Sequence, residues 1–406
     1  MAKLPLEGVR VADFTWIGAG SYTTKLLADF GAEVIKVETS TRLDSLRSTA
    51  PFKDGVPGVN RSGYFADRNA SKRSMTLNLK HPKAPELARA LIARSDMVTN
   101  NFTPGTMEKF GLGYRDVTAF KPDIIYLSMS MQGATGPDAH YVGFGLTIGA
   151  LTGMQFLSGQ PDREPAGTGT NYPDHVPNPS HGAFALLAAL HHKRKTGHGQ
   201  FIDLSQTEPT IALLESALVD YTVNGRIAQR CGNDHWSAAP RGAYPCQGND
   251  RWIAISVYSN EQWVALTTAL GPDASLTEAR WRDQAVRRDG RRELDTLLGK
   301  ATAQHEARQL MQRLQASGVP AGVVQNSQDL IETDAQLAHR GHWVRLSHQE
   351  MGATLYNAPP FRLSRTPAVL SRPAPLLGEH TEEVCTRLLG LTAEEFGGLK
   401  AEGVFE

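Results

Sequence analysis

Residues 9–38 read VRVADFTWIGAGSYTTKLLADFGAEVIKVE, and the reading of this stretch decides the fold. Val9 to Phe14 is a short run rich in β-branched residues, Tyr22 to Phe30 has the apolar spacing of an amphipathic helix, and Glu33 to Glu38 is again strand-like. Gly31, directly after Phe30, supplies the helix C-cap. Strand and helix in alternation predict a mainly parallel sheet. The alternation continues outward through Ser74 to Leu79, a helix from Pro85 to Arg94 announced by Pro82, and the strands Met97 to Thr99 and Asp123 to Ser130.

Thr135 to Ser180 is a long loop heavy in Gly and Pro, the kind of segment on which a site is built. An apolar helix from His181 to Lys193 follows, with Phe184, Leu186, Leu187 and Leu190 expected on its buried side. Thr196-Gly-His-Gly-Gln200 then turns the chain into the strand Phe201 to Leu204. From Arg241 the texture changes to a strand, Ile253 to Val257, and helices near Gln262 to Leu270 and Glu306 to Ala316. Strand-like runs at Trp343 to Leu346 and Gly352 to Tyr356 precede a final segment with two short helices. The expected division is a large domain over 1–220, a small one over 221–330, and a return segment over 331–406 in which strand-like texture resumes.

The chain has 406 residues, enough for two cores. Lys plus Arg balances Asp plus Glu at 42 each, so nucleic acid and anionic membranes are not expected partners. The start of the chain has no long apolar run, and no stretch approaches the roughly 18 apolar residues that span a bilayer. Three scattered cysteines, Cys231, Cys246 and Cys385, fit a reducing compartment and offer no zinc spacing. A cytoplasmic protein acting on small molecules is the expectation.

Gly18-Ala-Gly20 after the first strand, with Glu38 closing the second, resembles the dinucleotide fingerprint. The third glycine position, however, is Thr23, and Trp16 intrudes before the turn. A nicotinamide oxidoreductase is therefore a minority reading. The other reading is a βαβ unit whose glycines allow tight turning or close ligand approach.

A wider set of segments carries a stronger resemblance. Val11-Ala-Asp-Phe-Thr15, Leu27 to Glu38, Asn69-Ala-Ser-Lys-Arg-Ser74, Asn101-Phe-Thr-Pro-Gly105, Ala188-Ala-Leu190, Thr196 to Gln200 and Pro375 to Thr381 together resemble the class III CoA-transferase family. That family includes formyl-CoA and carnitine CoA-transferases and the α-methylacyl-CoA racemases. The resemblance implies a Rossmann-like large domain whose parallel sheet draws on both chain ends, a smaller inserted α/β domain, and two subunits threaded as an interlocked dimer. It also implies coenzyme A thioesters as substrates, with no permanently bound cofactor and no metal.

Asp174, in Asn171-Tyr-Pro-Asp-His-Val-Pro-Asn-Pro-Ser180, matches the family's catalytic aspartate. An aspartate beside proline is otherwise a common turn residue. Its carboxylate would attack a thioester to give a mixed anhydride and then an aspartyl-CoA thioester, which an incoming acid opens in reverse. The resemblance also assigns coenzyme A contacts to Ala19, Leu77, Lys80, Asn101, Phe102 and Lys109, with Arg73 a weaker member of the set. Departures from the family pattern are Thr39 in place of an arginine that Arg42 could replace, and Trp16 and Gly18 in place of a histidine and a glutamine. The second departure points to a different acyl pocket, so oxalate or formate need not be the substrate. No glycine run occupies Gly248 to Tyr258, where formyl-CoA transferase has a shielding loop.

His175 adjoins Asp174, but neighbours in sequence usually point apart, so a hydrogen-bonded or surface histidine is expected; His191 and His192 read as structural or solvated. The racemase histidine falls at Phe144, followed by Gly145, with His140 nearby. The leading reading is transfer of CoA from succinyl-CoA or a similar donor to a bulky or aromatic dicarboxylic acid. Racemisation, or a non-catalytic paralogous subunit in a heteromer, are the alternatives.

Overall fold

A computed structural model describes residues 3–406. Two compact units are distinguished: one takes the chain up to Phe156 with Gly167–Ala228 and Gln336–Glu406, the other Leu157–Ala166 with Gln229–Ala335. In the first unit the strands are β1 (Arg10–Asp13), β2 (Glu33–Glu38), β3 (Arg73–Thr76), β4 (Met97–Asn100), β5 (Ile125–Ser128) and β6 (Phe201–Asp203). They form one sheet in the order β3-β2-β1-β4-β5-β6, every neighbouring pair parallel. The α/β expectation holds. Strand order reverses between β1 and β4, which opens a crevice beyond their carboxyl ends.

The helices that matter below are α1 (Ile17–Asp29), α2 (Gly63–Asn69), α3 (Ala84–Ala93), α4 (Gly145–Leu151), the short turn α5 (Tyr172–His175) and α6 (Pro177–Thr196). Successive strand residues enter opposite layers, as the pleat requires. Val11, Val34, Met97 and Ile125 pack with Leu27 of α1 and Leu186 and Leu190 of α6. Ala12, Ile35, Val98 and Tyr126 pack with Leu87 and Leu91 of α3 and with Val384, Leu389 and Phe396 from the C-terminal segment.

Both chain ends thus build this unit, but all six strands come from residues 10–203. The return segment supplies helices and a separate hairpin, β10 (Trp343–His348) with β11 (Gly352–Asn357), whose apolar side covers Phe65 and Ala66 of α2. The second unit holds an antiparallel sheet of β7 (Arg241–Pro245), β8 (Trp252–Ser256) and β9 (Ala321–Val323) around Trp263, Trp281 and Leu310. It is α+β in character.

Two helix readings need correction. Helix α1 starts at Ile17, five residues before the expected Tyr22, so Gly18 and Gly20 lie in its first turn and not in a loop. A Cβ on Gly20 would stand 2.5 Å from Thr15 Cβ, so this helix approaches the strand closely only because no side chain intervenes. Helix α6 starts at Pro177, because proline costs little in a first turn. On α6, Leu186, Ala189 and Leu190 face the sheet, whereas Phe184 is 74% and Leu187 42% exposed. Phe184 precedes Leu186 by two residues, about 200° around the helix, which puts it on the far side.

Beneath the crevice lies a buried polar cluster centred on Asp13, at the end of β1 and 0% exposed. Its carboxylate accepts from the Thr15 N–H and the hydroxyls of Thr15, Thr24 and Thr99, and pairs with Lys72 Nζ at 3.1 Å. Burial alone would raise its pKa, but Lys72 and Lys36 outweigh this and hold the carboxyl below the ordinary range. Lys72 is pushed down to about 8 by its own burial, against the pull of Asp13. Asp13→Ala would strand Lys72 beside carbonyl and amide oxygens only, and is expected to cost about 3–5 kcal/mol, read as a lower denaturant midpoint. A loss under about 1 kcal/mol would show that the cluster is not a principal support.

Candidate active site

Residues just past the carboxyl ends of all six strands line two adjoining cavities. The inner one, about 410 Å³, takes Trp16 from β1, Met131 from β5 and Gln206 from β6, and is bounded by Phe144 and Asp174. The outer one, about 400 Å³, takes Thr41 from β2 and Leu77 and Lys80 from β3. Trp16, Arg42, Phe102 and Thr103 line both. Together they make one groove along the edge where a doubly wound sheet holds its ligands.

The corner at Trp16 is rigidly held. Its N–H donates to Asn101 Oδ1 at 2.8 Å, and its carbonyl accepts from Asn101 Nδ2 at 2.7 Å, so one side chain ties the loops after β1 and β4 together. Ile17 has a left-handed backbone, φ 59°, which a β-branched residue adopts only under constraint. Its N–H donates to Asp44 Oδ1 at 3.1 Å, and buried Asp44 pairs with Lys36 at 3.0 Å. The Trp16 ring meets Phe102 edge to face at 5.6 Å.

Asp174 is 3% exposed and stands on α5, just ahead of α6. Two glycines let it approach. A Cβ on Gly18 would lie 3.0 Å from Asp174 Cβ, and one on Gly145 would lie 3.0 Å from Asp174 Oδ2. Gly145 opens α4, and its N–H donates to Asp174 Oδ2 at 3.0 Å. Burial pushes the carboxyl up to about 6, with the Gly145 N–H pulling the other way. A carboxylate so placed is accessible from the cavity, weakly solvated and able to act as a nucleophile or a proton carrier.

His175 faces different partners. Its Nδ1 lies 3.2 Å from Arg68 Nη2, which can only donate, so Nε2 carries the proton and donates to Tyr64 Oη at 3.0 Å. Burial and then Arg68 push it down to about 4, which keeps the ring neutral. His140 is exposed and does not line the cavity, whereas Phe144, the residue that the sequence resemblance matches to the racemase histidine, does line it.

Of the sequence-derived coenzyme A set, the structure gathers Ala19, Asn101 and Phe102 at the inner cavity and Leu77, Lys80 and again Phe102 at the outer one. Lys109 is exposed and lines neither. Arg73 is placed elsewhere: it begins β3, at the opposite edge of the sheet from the groove, and pairs with Glu33 and Glu383. Asn101 spends its amide on Trp16 and so serves to position the corner. The Gly145 N–H, Gln206 and Tyr141 were not singled out in the sequence, although Gln206 sits where the strand-end rule would look. The acid of the dinucleotide pattern, Glu38, receives two hydrogen bonds of 2.8 Å from Arg47, both side chains fully buried, and so cannot greet a ribose. Among the described residues, no cluster suited to a metal ion occurs and no helix is long and apolar enough to cross a membrane.

A family model described as CoA-transferase family III matches residues 6–381. The chain belongs to that family. As a CoA-transferase it is 33% identical over 401 residues to the succinyl-CoA–D-citramalate CoA-transferase of Chloroflexus aurantiacus, covering 98% of each chain. It is 31% identical over 406 residues to the succinyl-CoA:glutarate CoA-transferase of Mus musculus, covering 99% of this chain and 90% of that one. A crystal structure of a CAIB/BAIF family protein from Brucella suis matches with a TM-score of 0.87 at 30% identity, covering 95% of this chain and 100% of the other. The CoA-transferase thus acts on coenzyme A thioesters.

Were Asp174 the attacking group, its ionised form would be the active one. The pKa of about 6 then predicts that kcat/KM rises as pH climbs through that value and levels above it. A profile flat between about pH 5 and 8 would contradict the assignment.

Proposed function

We propose that this CoA-transferase moves coenzyme A from succinyl-CoA, or a similar dicarboxylic thioester, to a second, bulky or aromatic dicarboxylic acid, with Asp174 as nucleophile. The observation that carries the reading is the Asp174 carboxylate closing the inner cavity, buried and held by one backbone N–H. In the proposed cycle an Asp174 oxygen attacks the thioester carbonyl and the C–S bond breaks, giving a mixed anhydride and the CoA thiolate. The thiolate attacks the aspartyl carbonyl, releasing the donor acid and leaving aspartyl-CoA thioester. The incoming carboxylate attacks that thioester, again expelling thiolate, which finally takes the new acyl group and restores Asp174. The Gly145 N–H is placed to stabilise the oxygen that gains charge at Asp174.

Coenzyme A is proposed to run from Lys80 and Leu77 in the outer cavity to Ala19 and Asp174 in the inner one. Succinyl-CoA as donor is supported by the relatives, both named for it. Trp16 and Phe144 give the inner cavity the aromatic walls expected for a larger acid. Racemisation would need a second base facing Asp174, and among the described residues no histidine lines the cavity.

A second chain is part of the proposal. Large apolar side chains stand exposed along residues 142–223, among them Val142 at 76%, Phe184 at 74% and Val223 at 72%. Such a surface suits burial against a copy or a paralogous partner, and an interlocked dimer would cover it. Native mass spectrometry should give twice the chain mass, or a mixed complex on co-expression with a paralogue; a monomer at micromolar concentration would refute this.

The direct test is to incubate the enzyme with succinyl-CoA and other acyl-CoA thioesters, quench with hydroxylamine and map the hydroxamate by peptide mass spectrometry. Label on Asp174 is expected, absent in Asp174→Ala, whose turnover should fall about a thousandfold or more. A wild-type enzyme labelled by no thioester, or an Asp174→Ala enzyme that retains transfer, would remove the nucleophile assignment.

A further inference from the structure

The inner cavity is nearly neutral. Among the described residues, Asp174 and Arg42 are the only charged side chains lining it, and most of the remaining wall is aromatic, aliphatic or glycine. Its polar neutral groups are partly spent already, since the Asn101 amide is bonded to Trp16 and the Gln206 NH2 group donates to the Met129 carbonyl. Arg42 is different. No carboxylate among the described residues pairs with it, in contrast to Arg47, which is locked on Glu38. Its guanidinium lies over the Trp16 ring, 5.5 Å from the centroid, on the rigid corner held by Asn101 and Asp44.

A dicarboxylic substrate brings two carboxyl groups into this space. One reacts at Asp174, and the other needs a cation and fixed donors, because an ionised group left among apolar walls without a partner is strongly disfavoured. A guanidinium presents paired N–H donors matched to a carboxylate, and stacking on an indole limits its wandering. We propose that Arg42 receives the distal carboxylate of the acyl group and makes the enzyme select dicarboxylic over monocarboxylic thioesters. This rests on Asp174 being the reacting carboxylate. The phosphates of coenzyme A are the competing anion, since Arg42 also borders the outer cavity, but Lys80 serves that cavity alone.

The test compares succinyl-CoA with butyryl-CoA, which has the same carbon count and no distal carboxylate, by the rate at which each labels Asp174 with hydroxylamine as trap. Wild type, Arg42→Gln and Arg42→Lys are measured; Arg42 is exposed, and matching melting curves check that the variants fold. The succinyl-to-butyryl ratio of kcat/KM is expected to fall about 100-fold in Arg42→Gln and by a smaller factor in Arg42→Lys. A ratio within about threefold of wild type would overturn the proposal. This holds whether both rates drop together, as they would if Arg42 held the coenzyme A phosphates, or neither drops. Absence of label from both thioesters in the wild type would remove the Asp174 assignment itself and this inference with it; label from both with an unchanged ratio removes only the inference.

Discussion

The structure depends on a buried carboxylate that has nowhere else to go. Asp13 ends β1 at the reversal of strand order, and its two oxygens gather α1 through Thr24, β4 through Thr99, and the approach to β3 through Lys72. Lys36 of β2 extends the cluster by donating to the Thr15 carbonyl at 2.6 Å and pairing with Asp44. Charges this deep in a protein are tolerated only when paired and hydrogen-bonded, and the cost of breaking such a set exceeds what forming it contributes. The result is geometric specificity. Asp44 and Asn101, fixed by the same surroundings, hold the backbone from Trp16 to Ile17 in a conformation that Ile17 would not choose alone.

That corner sets the conditions for chemistry. Because Gly18 follows immediately, the backbone passes close to Asp174 without a side chain between them, and Gly145 does the same from the other side. Few donors remain for the carboxylate, so it is less stabilised as an anion than an ordinary aspartate. A carboxylate that resists ionisation is also more reactive once ionised, since the electron pair is less tied up by solvent. The neutral, well-bonded His175 adds rigidity and no competing positive charge.

Much of this was legible in the sequence, and for identifiable reasons. Alternating strand and helix patterns are local, so β1, β2, β4 and β5 were readable from periodicity. The start of α1 was not, because glycines at 18 and 20 look like a turn unless one knows that Thr15, Asn101 and Asp174 crowd against them. Phe184 and Leu187 were expected inside, since apolar spacing reports that a face is to be buried and not what buries it. Ala19, Leu77, Lys80 and Phe102 reached the groove because their motif positions follow strand ends, and Asp174 because its loop leads into α6, which packs on the same sheet. Arg73 did not, since a strand's first residue lies at the wrong edge, and the Gly145 N–H left no trace because backbone donors carry no side-chain signature.

The burial of Glu38 against Arg47 has an electrostatic consequence for the rest of the groove. Glu38 borders the outer cavity, where an unpaired acid would repel any polyanionic chain threading past it. Its pairing with Arg47 makes this wall dipolar and nearly silent at a distance, and leaves the uncancelled field there to the exposed cations Arg42 and Lys80. A sheet laid out like that of a dinucleotide reader has thereby had the charge of one key position cancelled. The same strand end that elsewhere recognises a sugar hydroxyl here presents a closed ion pair with no free acceptor.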